Sequence, residues 1–146
     1  MQLLATSTKS SMVKEAGIRA LIKVLETFFP ASIKDKIQPI ELMEVLLDNK
    51  LRNEERAMGS NLRGCVYYTI GLILYHYPDE LRDRIPELQD LFYFKLTQEL
   101  EKGKGTEEKA LDGMLKGMAY ALTHFTYSED VLNKLFKYAK ALVKPI

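Results

Sequence analysis

Histidine and cysteine are the residue types best suited to catalysis or metal binding, and this sequence has two histidines and one cysteine. His76 and His124 each lie within one turn of the end of a predicted helix. Two histidines alone make a poor zinc site, because zinc takes four protein ligands, or three and a water. We interpret both as helix-end residues whose imidazoles hydrogen-bond to backbone or water. Cys65 has no obvious cationic neighbour to lower its pKa, so we interpret it as a small core residue.

One charged pattern could form a binding site. Four lysines of the last predicted helix fall on one helical face, opposite its apolar stripe and with no acid between them: Lys134, Lys137, Lys140 and Lys144. Such a row could follow the phosphate backbone of DNA without reading its sequence. The alternative is an ordinary solvated face, since lysines are common on the polar side of an amphipathic helix. The sequence predicts no catalytic, cofactor-binding or metal-binding residue.

Composition excludes few classes of partner. Lysine and arginine number 21 against 20 acidic residues, so the net charge of +1 favours neither nucleic acid nor any other charged partner. A single cysteine excludes an internal disulfide and suits a reducing compartment, the cytosol or the nucleus. The opening residues MQLLATSTKSS lack the apolar core of a signal peptide, and we expect no membrane-spanning segment.

These residues must be positioned by helices, because no segment alternates as a strand does. The run from Cys65 to Tyr77 carries no charge and is apolar or aromatic at nearly every position, and Pro78 ends it. A helix that is apolar on all sides is buried on most of them. At about 13 residues the run is shorter than the roughly 20 needed to cross a bilayer. We therefore predict a central helix, the third of six, covered by its neighbours.

The other five helices are predicted from apolar residues at three- and four-residue spacing. Proline, glycine and capping residues place their ends near 10–29, 39–51, 86–102, 106–125 and 128–146. Each of these helices has a predicted inward face. The side chains are Ile18, Leu21, Ile22, Leu25, Phe28 and Phe29 in the first helix, and Ile40, Met43, Leu46, Leu47 and Leu51 in the second. They are Leu88, Leu91, Phe92, Leu96 and Leu100 in the fourth, Leu111, Met114, Leu115, Met118, Leu122 and Phe125 in the fifth, and Leu132, Leu135, Phe136, Ala139, Leu142 and Val143 in the sixth. In the fifth helix Gly113, Gly117 and Ala121 form a smooth line that another backbone could approach closely.

The helices repeat as pairs. Phe29, Tyr77 and Phe125 end the odd-numbered helices, and each interval is 48 residues. A helical hairpin repeated every 40–50 residues is typical of HEAT and armadillo arrays, in which each hairpin buries its apolar face against the next. The sequence therefore predicts an all-α protein, a right-handed α-α superhelix of three HEAT/armadillo-like helical hairpins at approximately 10–52, 60–103 and 106–144. The single domain would span 1–146 and be a slice of a longer solenoid.

Four segments of the chain resemble the N-terminal helical-repeat arm of the DNA-dependent protein kinase catalytic subunit family: ALIKVLETFF, VYYTIGLILYHYPDEL, LFYFKLTQEL and LKGMAYALTHFTYSEDVLNKLFKYAKALVKPI. The similarity runs in order from Ala16 to Ile146. It includes the Gly-Leu that begins at Gly71, the His-x-Pro that ends at Pro78 and the Leu-Lys-Gly of the fifth helix.

The resemblance implies a function. Members of that family are large nuclear serine/threonine kinases that the Ku heterodimer recruits to DNA ends for non-homologous end joining. This chain lacks the Gly-rich loop and the Asp-Phe-Gly of the kinase domain, so the resemblance implies a non-catalytic scaffold without cofactor or small-molecule substrate. Its partners would be Ku and, independently of sequence, DNA, and its location would be the nucleus. The alternative is a cytoplasmic, free-standing HEAT/armadillo-type adaptor or transport-factor fragment.

Overall fold

The computed structural model describes residues 11–47, 60–102 and 107–143, and these segments contain helices and turns but no strand. The all-α class is therefore confirmed. The helices are α1 (Ser11–Thr27), α2 (Pro30–Ile37), α3 (Pro39–Leu47), α4 (Ser60–His76), α5 (Ile85–Glu101), α6 (Glu108–Ala121) and α7 (Glu129–Val143). Single 3-10 turns follow α4 at Arg82–Arg84 and α6 at Leu122–His124.

The helix α4 is at the centre of the fold, as the sequence predicts. Positions 62–67 and 69–74 are all buried, and the helix contacts α1, α3 and α6. The buried hydroxyl of Thr69 donates a hydrogen bond to the Cys65 carbonyl oxygen at 2.7 Å. A buried hydroxyl without such a partner would cost about 1–3 kcal/mol. The hydroxyl of Thr69 is therefore satisfied within its own helix.

Glycines bring the backbones of α4 and α6 into direct contact. A Cβ atom added at Gly113 would overlap the backbone of Gly64, and one added at Gly71 would overlap the backbone of Gly117. Gly64 lies against Lys109 and Ala110, so the contacts advance in the same direction along both helices. The two helices are therefore parallel, and the predicted close approach along the fifth predicted helix is confirmed.

The remaining helices cover this pair. Helix α1 packs against α4, while α5 contacts both α6 and α7. Side-chain hydrogen bonds fix the connections between them. The hydroxyl of Tyr77 donates to the Pro30 carbonyl oxygen at 2.9 Å, and Tyr93 donates to the Thr126 carbonyl oxygen at 2.6 Å. The buried core extends from α1 through α4 to α6, with Phe92 of α5 among its largest enclosed side chains.

The predicted end of the first helix is wrong. Helix α1 stops at Thr27, and the exposed fractions of Phe28 and Phe29 are 54% and 74%, so neither belongs to the inner stripe. The extra helix α2 follows at once, because Pro30 is compatible with the first helical position. Gln38 then adopts the left-handed conformation, φ 50°, and turns the chain into α3.

The predicted inner face of the second helix is shifted. In α3 the buried positions are Pro39, Leu42, Met43, Leu46 and Leu47, which share one helical face. Ile40 lies off that face and is 56% exposed, so its assignment to the core is wrong. Leu51 lies outside the described residues.

The predicted inner face of the last helix is also largely wrong. Val131 is the buried residue of α7, while Leu132 and Leu135 are half-buried. The residues of that stripe that are exposed are Phe136, Ala139, Leu142 and Val143. Helix α7 rests on α5 with one edge of its apolar stripe, so the other edge faces outward. Leu122 is 37% exposed as well, because the α-helical geometry of α6 ends at Ala121.

Candidate functional site

A groove of about 980 Å³ lies over α4, between α1 and α6, and its lining also includes Tyr138 and Leu142 of α7. Its floor is formed by residues of α4, including Cys65 and Tyr68. Both walls carry basic and acidic side chains: Arg19, Lys23 and Glu26 on α1, and Glu108, Lys109, Asp112 and Lys116 on α6. Such a surface combines polar groups with a partly apolar floor, which is the make-up of many reversible protein–protein interfaces.

Tyr68 connects the two walls of the groove. Its hydroxyl donates to Glu26 Oε2 at 2.6 Å, and its ring stacks on Tyr120 with centroids 6.2 Å apart. The ammonium group of Lys116 lies 6.0 Å from the centre of the Tyr68 ring. Burial, followed by the hydrogen bond to Glu26, raises the pKa of Tyr68 well above its usual value. The phenol therefore stays neutral and acts as a donor and an aromatic surface.

The charged residues of the groove are held loosely. Arg19 pairs with Glu15 at 3.0 Å, and Lys116 pairs with Asp112 at 3.0 Å, each four residues apart on one helix. Exposed pairs of this kind contribute about 0.3–0.5 kcal/mol, so a partner's charge could exchange with them at little cost. The groove is thus able to recognise a charged protein surface.

Cys65 is buried, as the sequence predicts, although a cation does lie near it. Burial raises the pKa of its thiol, and the charge of Arg19 from the neighbouring helix opposes that shift only in part. The thiol is therefore protonated at neutral pH and is not a nucleophile. The sequence could not show the proximity of Arg19, because it depends on how α1 packs against α4.

The two histidines are at equivalent helix ends. His76 is half-buried at the end of α4, and among the described residues its Nε2 has no hydrogen-bond partner. Burial lowers the pKa of His76, and a hydrogen bond to the backbone of Leu25 offsets this only in part. His124 is half-buried in the turn after α6. In the part of the chain that the structure describes, no group of three or more potential ligands could hold a metal ion.

The structure separates the four lysines of the predicted stripe. Lys137 and Lys140 are exposed. Lys134 is half-buried and pairs with Glu101 of α5 at 2.7 Å and with Asp130 at 3.4 Å, and the hydrogen bond that it donates to Glu101 raises its pKa. Lys144 lies outside the described residues. Lys137 and Lys140 are therefore the two lysines of the stripe that the structure shows exposed to a phosphate.

We expect any binding of duplex DNA by this stripe to be weak. Each neutralised phosphate contributes about −0.9 to the slope of log affinity against log salt, so Lys137 and Lys140 together contribute about −1.8. The double substitution Lys137→Glu, Lys140→Glu should abolish binding in a fluorescence-anisotropy titration, whereas Lys134→Gln should leave it nearly unchanged. An affinity and slope that survive the double substitution would identify the lysines as an ordinary solvated face.

A buried ionic group that the sequence analysis missed holds the start of α6. Glu99 is 4% exposed on α5, and its carboxylate accepts hydrogen bonds from the Glu107 backbone N–H at 2.9 Å and from Lys102 Nζ at 3.0 Å. Arg63 of α4 pairs with the Glu107 side chain. One signal could have revealed the group, since Glu99 falls on the same helical face as Leu88, Phe92 and Leu96. The predicted cap, Thr106, lies outside the described residues.

The stability of the protein should fall at acid pH because of Glu99. Burial pushes its pKa upward, but the hydrogen bonds from Glu107 and Lys102 outweigh that effect, and the pKa is lowered overall. The stabilisation is complete above the unfolded-state pKa, near 4.3, and is lost as pH falls through the lower folded-state value. Glu99→Gln should reduce the free energy of unfolding by about 1–3 kcal/mol at pH 7. Urea unfolding should show a much smaller difference at pH 3; an equal difference at both pH values would contradict this role.

Comparison with protein-family models, curated protein sequences and solved structures found no match to this chain. The resemblance to the DNA-dependent protein kinase catalytic subunits therefore stays a prediction. Among the described residues, no helix has the length and apolar character needed to cross a membrane.

Proposed function

We propose that this chain is a non-catalytic helical-repeat scaffold that binds a protein partner in the groove between α1 and α6. The observation that carries the proposal is the presence of both basic and acidic side chains on each groove wall around Tyr68. Seven charged side chains converge there on a surface that has an apolar floor, and their ion pairs are exposed and weak.

We also propose the finer architecture, a right-handed superhelix of three hairpins. Its support is the way the helices are layered. The first helices of the proposed hairpins, α1, α4 and α6, contact one another in chain order, and two of the return helices, α5 and α7, contact each other. In repeat proteins the first helices of neighbouring hairpins stack on one another, as do the return helices, and this stacking builds a continuous core.

The partner that the resemblance implies is the Ku heterodimer at a DNA end, in the nucleus and in double-strand break repair by non-homologous end joining. Protein contacts through the groove would supply the affinity, since the exposed lysines of α7 are too few for strong binding to DNA. The chain would contribute a shaped surface and leave phosphoryl transfer to a kinase domain elsewhere.

Biolayer interferometry can test this function. Ku is loaded on an immobilised blunt-ended duplex, and the chain is added as the analyte. We expect saturable binding that depends on Ku and weakens at least fivefold with Lys23→Glu, an exposed groove residue. Lys36→Glu is a matched control, because Lys36 is an exposed helical lysine on α2 outside the groove. Equal binding by both variants, or none by the unmodified chain, would contradict the proposal.

A further inference from the structure

One face of α7 is apolar and faces away from the rest of the protein. Leu132, Phe136, Ala139 and Val143, named here the α7 seam, recur at intervals of four, three and four residues. That spacing is the repeat with which two helices form a coiled-coil contact. Phe136 is 61% exposed and Val143 is 80% exposed, although both are large and apolar. Exposed apolar stripes with polar borders are typical of interaction sites.

The α7 seam is distinct from the edge by which α7 joins the fold. Val131 is buried, and Leu135 and Tyr138 pack partly against the core. This edge rests on α5, and the seam is exposed from Phe136 onward, while Leu132 is half-buried. The small side chain of Ala139 lies in the middle of the seam, where it would let a second helix approach closely.

The charges of α7 indicate which helix would fit. Its first turn carries the acids Glu129 and Asp130, while its second half carries the exposed bases Lys137 and Lys140. A second α7 in the opposite direction would place the acidic end of each helix beside the basic end of the other. A parallel arrangement would instead place like charges together. We propose that two copies of this chain associate through their α7 seams, with the two helices antiparallel.

Such a dimer has the symmetry expected of a self-complementary surface. In a two-fold arrangement each seam contacts the same residues of its partner, so a single stripe supplies both halves of the interface. One pair of three-turn helices buries less than the 1,200–2,000 Å² of a standard stable interface. The dimer is therefore reversible, and its population rises with protein concentration and falls with salt.

Sedimentation velocity of the full chain over a wide concentration range tests the dimer. We expect the weight-average sedimentation coefficient to rise from the monomer value, and Phe136→Asp to weaken association at least tenfold. Phe94→Asp is the matched control, since Phe94 is 62% exposed on α5 and lies outside the seam. Circular dichroism should show both variants folded, because both side chains are already exposed.

A charge exchange tests the antiparallel direction. One variant carries Glu129→Lys, Asp130→Lys, Lys137→Glu and Lys140→Glu together. If the helices are antiparallel, this variant should associate with itself as well as the unmodified chain does and should form no heterodimer with it, because like charges would then meet. A preference for the heterodimer would indicate a parallel pair and contradict the proposed direction. Sedimentation as a monomer at every concentration would overturn the proposal, as would an equal effect of Phe94→Asp. Binding of the seam to anionic lipid vesicles in place of self-association would also overturn it.

Discussion

Replacing Gly113 with alanine is expected to lower the free energy of unfolding by about 3 kcal/mol or more. The new methyl group would overlap backbone atoms of Gly64, and neither helix can move away without separating the whole α4–α6 contact. Overpacking of a core costs about 1–3 kcal/mol when side chains can adjust, and backbone atoms cannot adjust in that way. Alanine favours a helix over glycine by about 1 kcal/mol, so the clash must exceed this gain.

Urea unfolding followed by circular dichroism measures the effect. Gly71→Ala, which meets the backbone of Gly117 from the other helix, should behave in the same way. Ala119→Val is the control, because position 119 is exposed on the same helix as Gly113 and should change stability by a few tenths of a kcal/mol. If Gly113→Ala made the protein more stable than the unmodified chain, α4 and α6 could not be in backbone contact.

Replacing Ile70 with alanine is expected to cost about 2–5 kcal/mol, the range for a large aliphatic side chain removed from a packed core. Ile70 is 1% exposed at the middle of α4, where helices from three sides close over it. The cavity left behind cannot be filled by a simple shift, since the neighbouring backbones are already in contact at the glycines.

The same substitution at Ile40 provides a control with identical chemistry. Ile40 is 56% exposed on α3, so Ile40→Ala should change the free energy of unfolding by about 0.5 kcal/mol or less. The two variants should therefore differ by several kcal/mol in urea unfolding. Similar losses at both positions would show that α4 is not the centre of the core.

The central helix could be predicted from sequence, because a long apolar run without charge is stable in a folded protein only where it is buried. The close approach at Gly113 and Gly117 could also be predicted, since glycine at four-residue spacing in a helix implies contact with another backbone. Helix α2 could not, because a Phe-Pro junction ends one helix and can begin another within three residues. The periodicity of α7 predicted an apolar stripe correctly, but a stripe does not reveal which of its edges is covered.

The groove could not be predicted, because it depends on how separate helices pack together and the local sequence pattern does not specify this packing. Lys23 on α1 and Lys109 on α6 border the same groove only because α1 and α6 lie on either side of α4. Lys134 illustrates the same limit, since its partner Glu101 belongs to another helix and lies 33 residues away in the chain. Ion pairs between residues close in sequence can be predicted from their spacing, whereas ion pairs between different helices are visible only in the structure.

Hydrogen–deuterium exchange of the chain, alone and bound to a Ku-loaded blunt duplex, tests the proposed function most directly. The proposal predicts that Ku slows exchange in peptides from α1 and α6 that border the groove, and leaves peptides from α5 unchanged. Lys23→Glu should remove this protection while the exchange of the free chain stays the same. Protection confined to α2 and α3, or no protection at saturating Ku–DNA, would contradict the groove as the partner-binding surface.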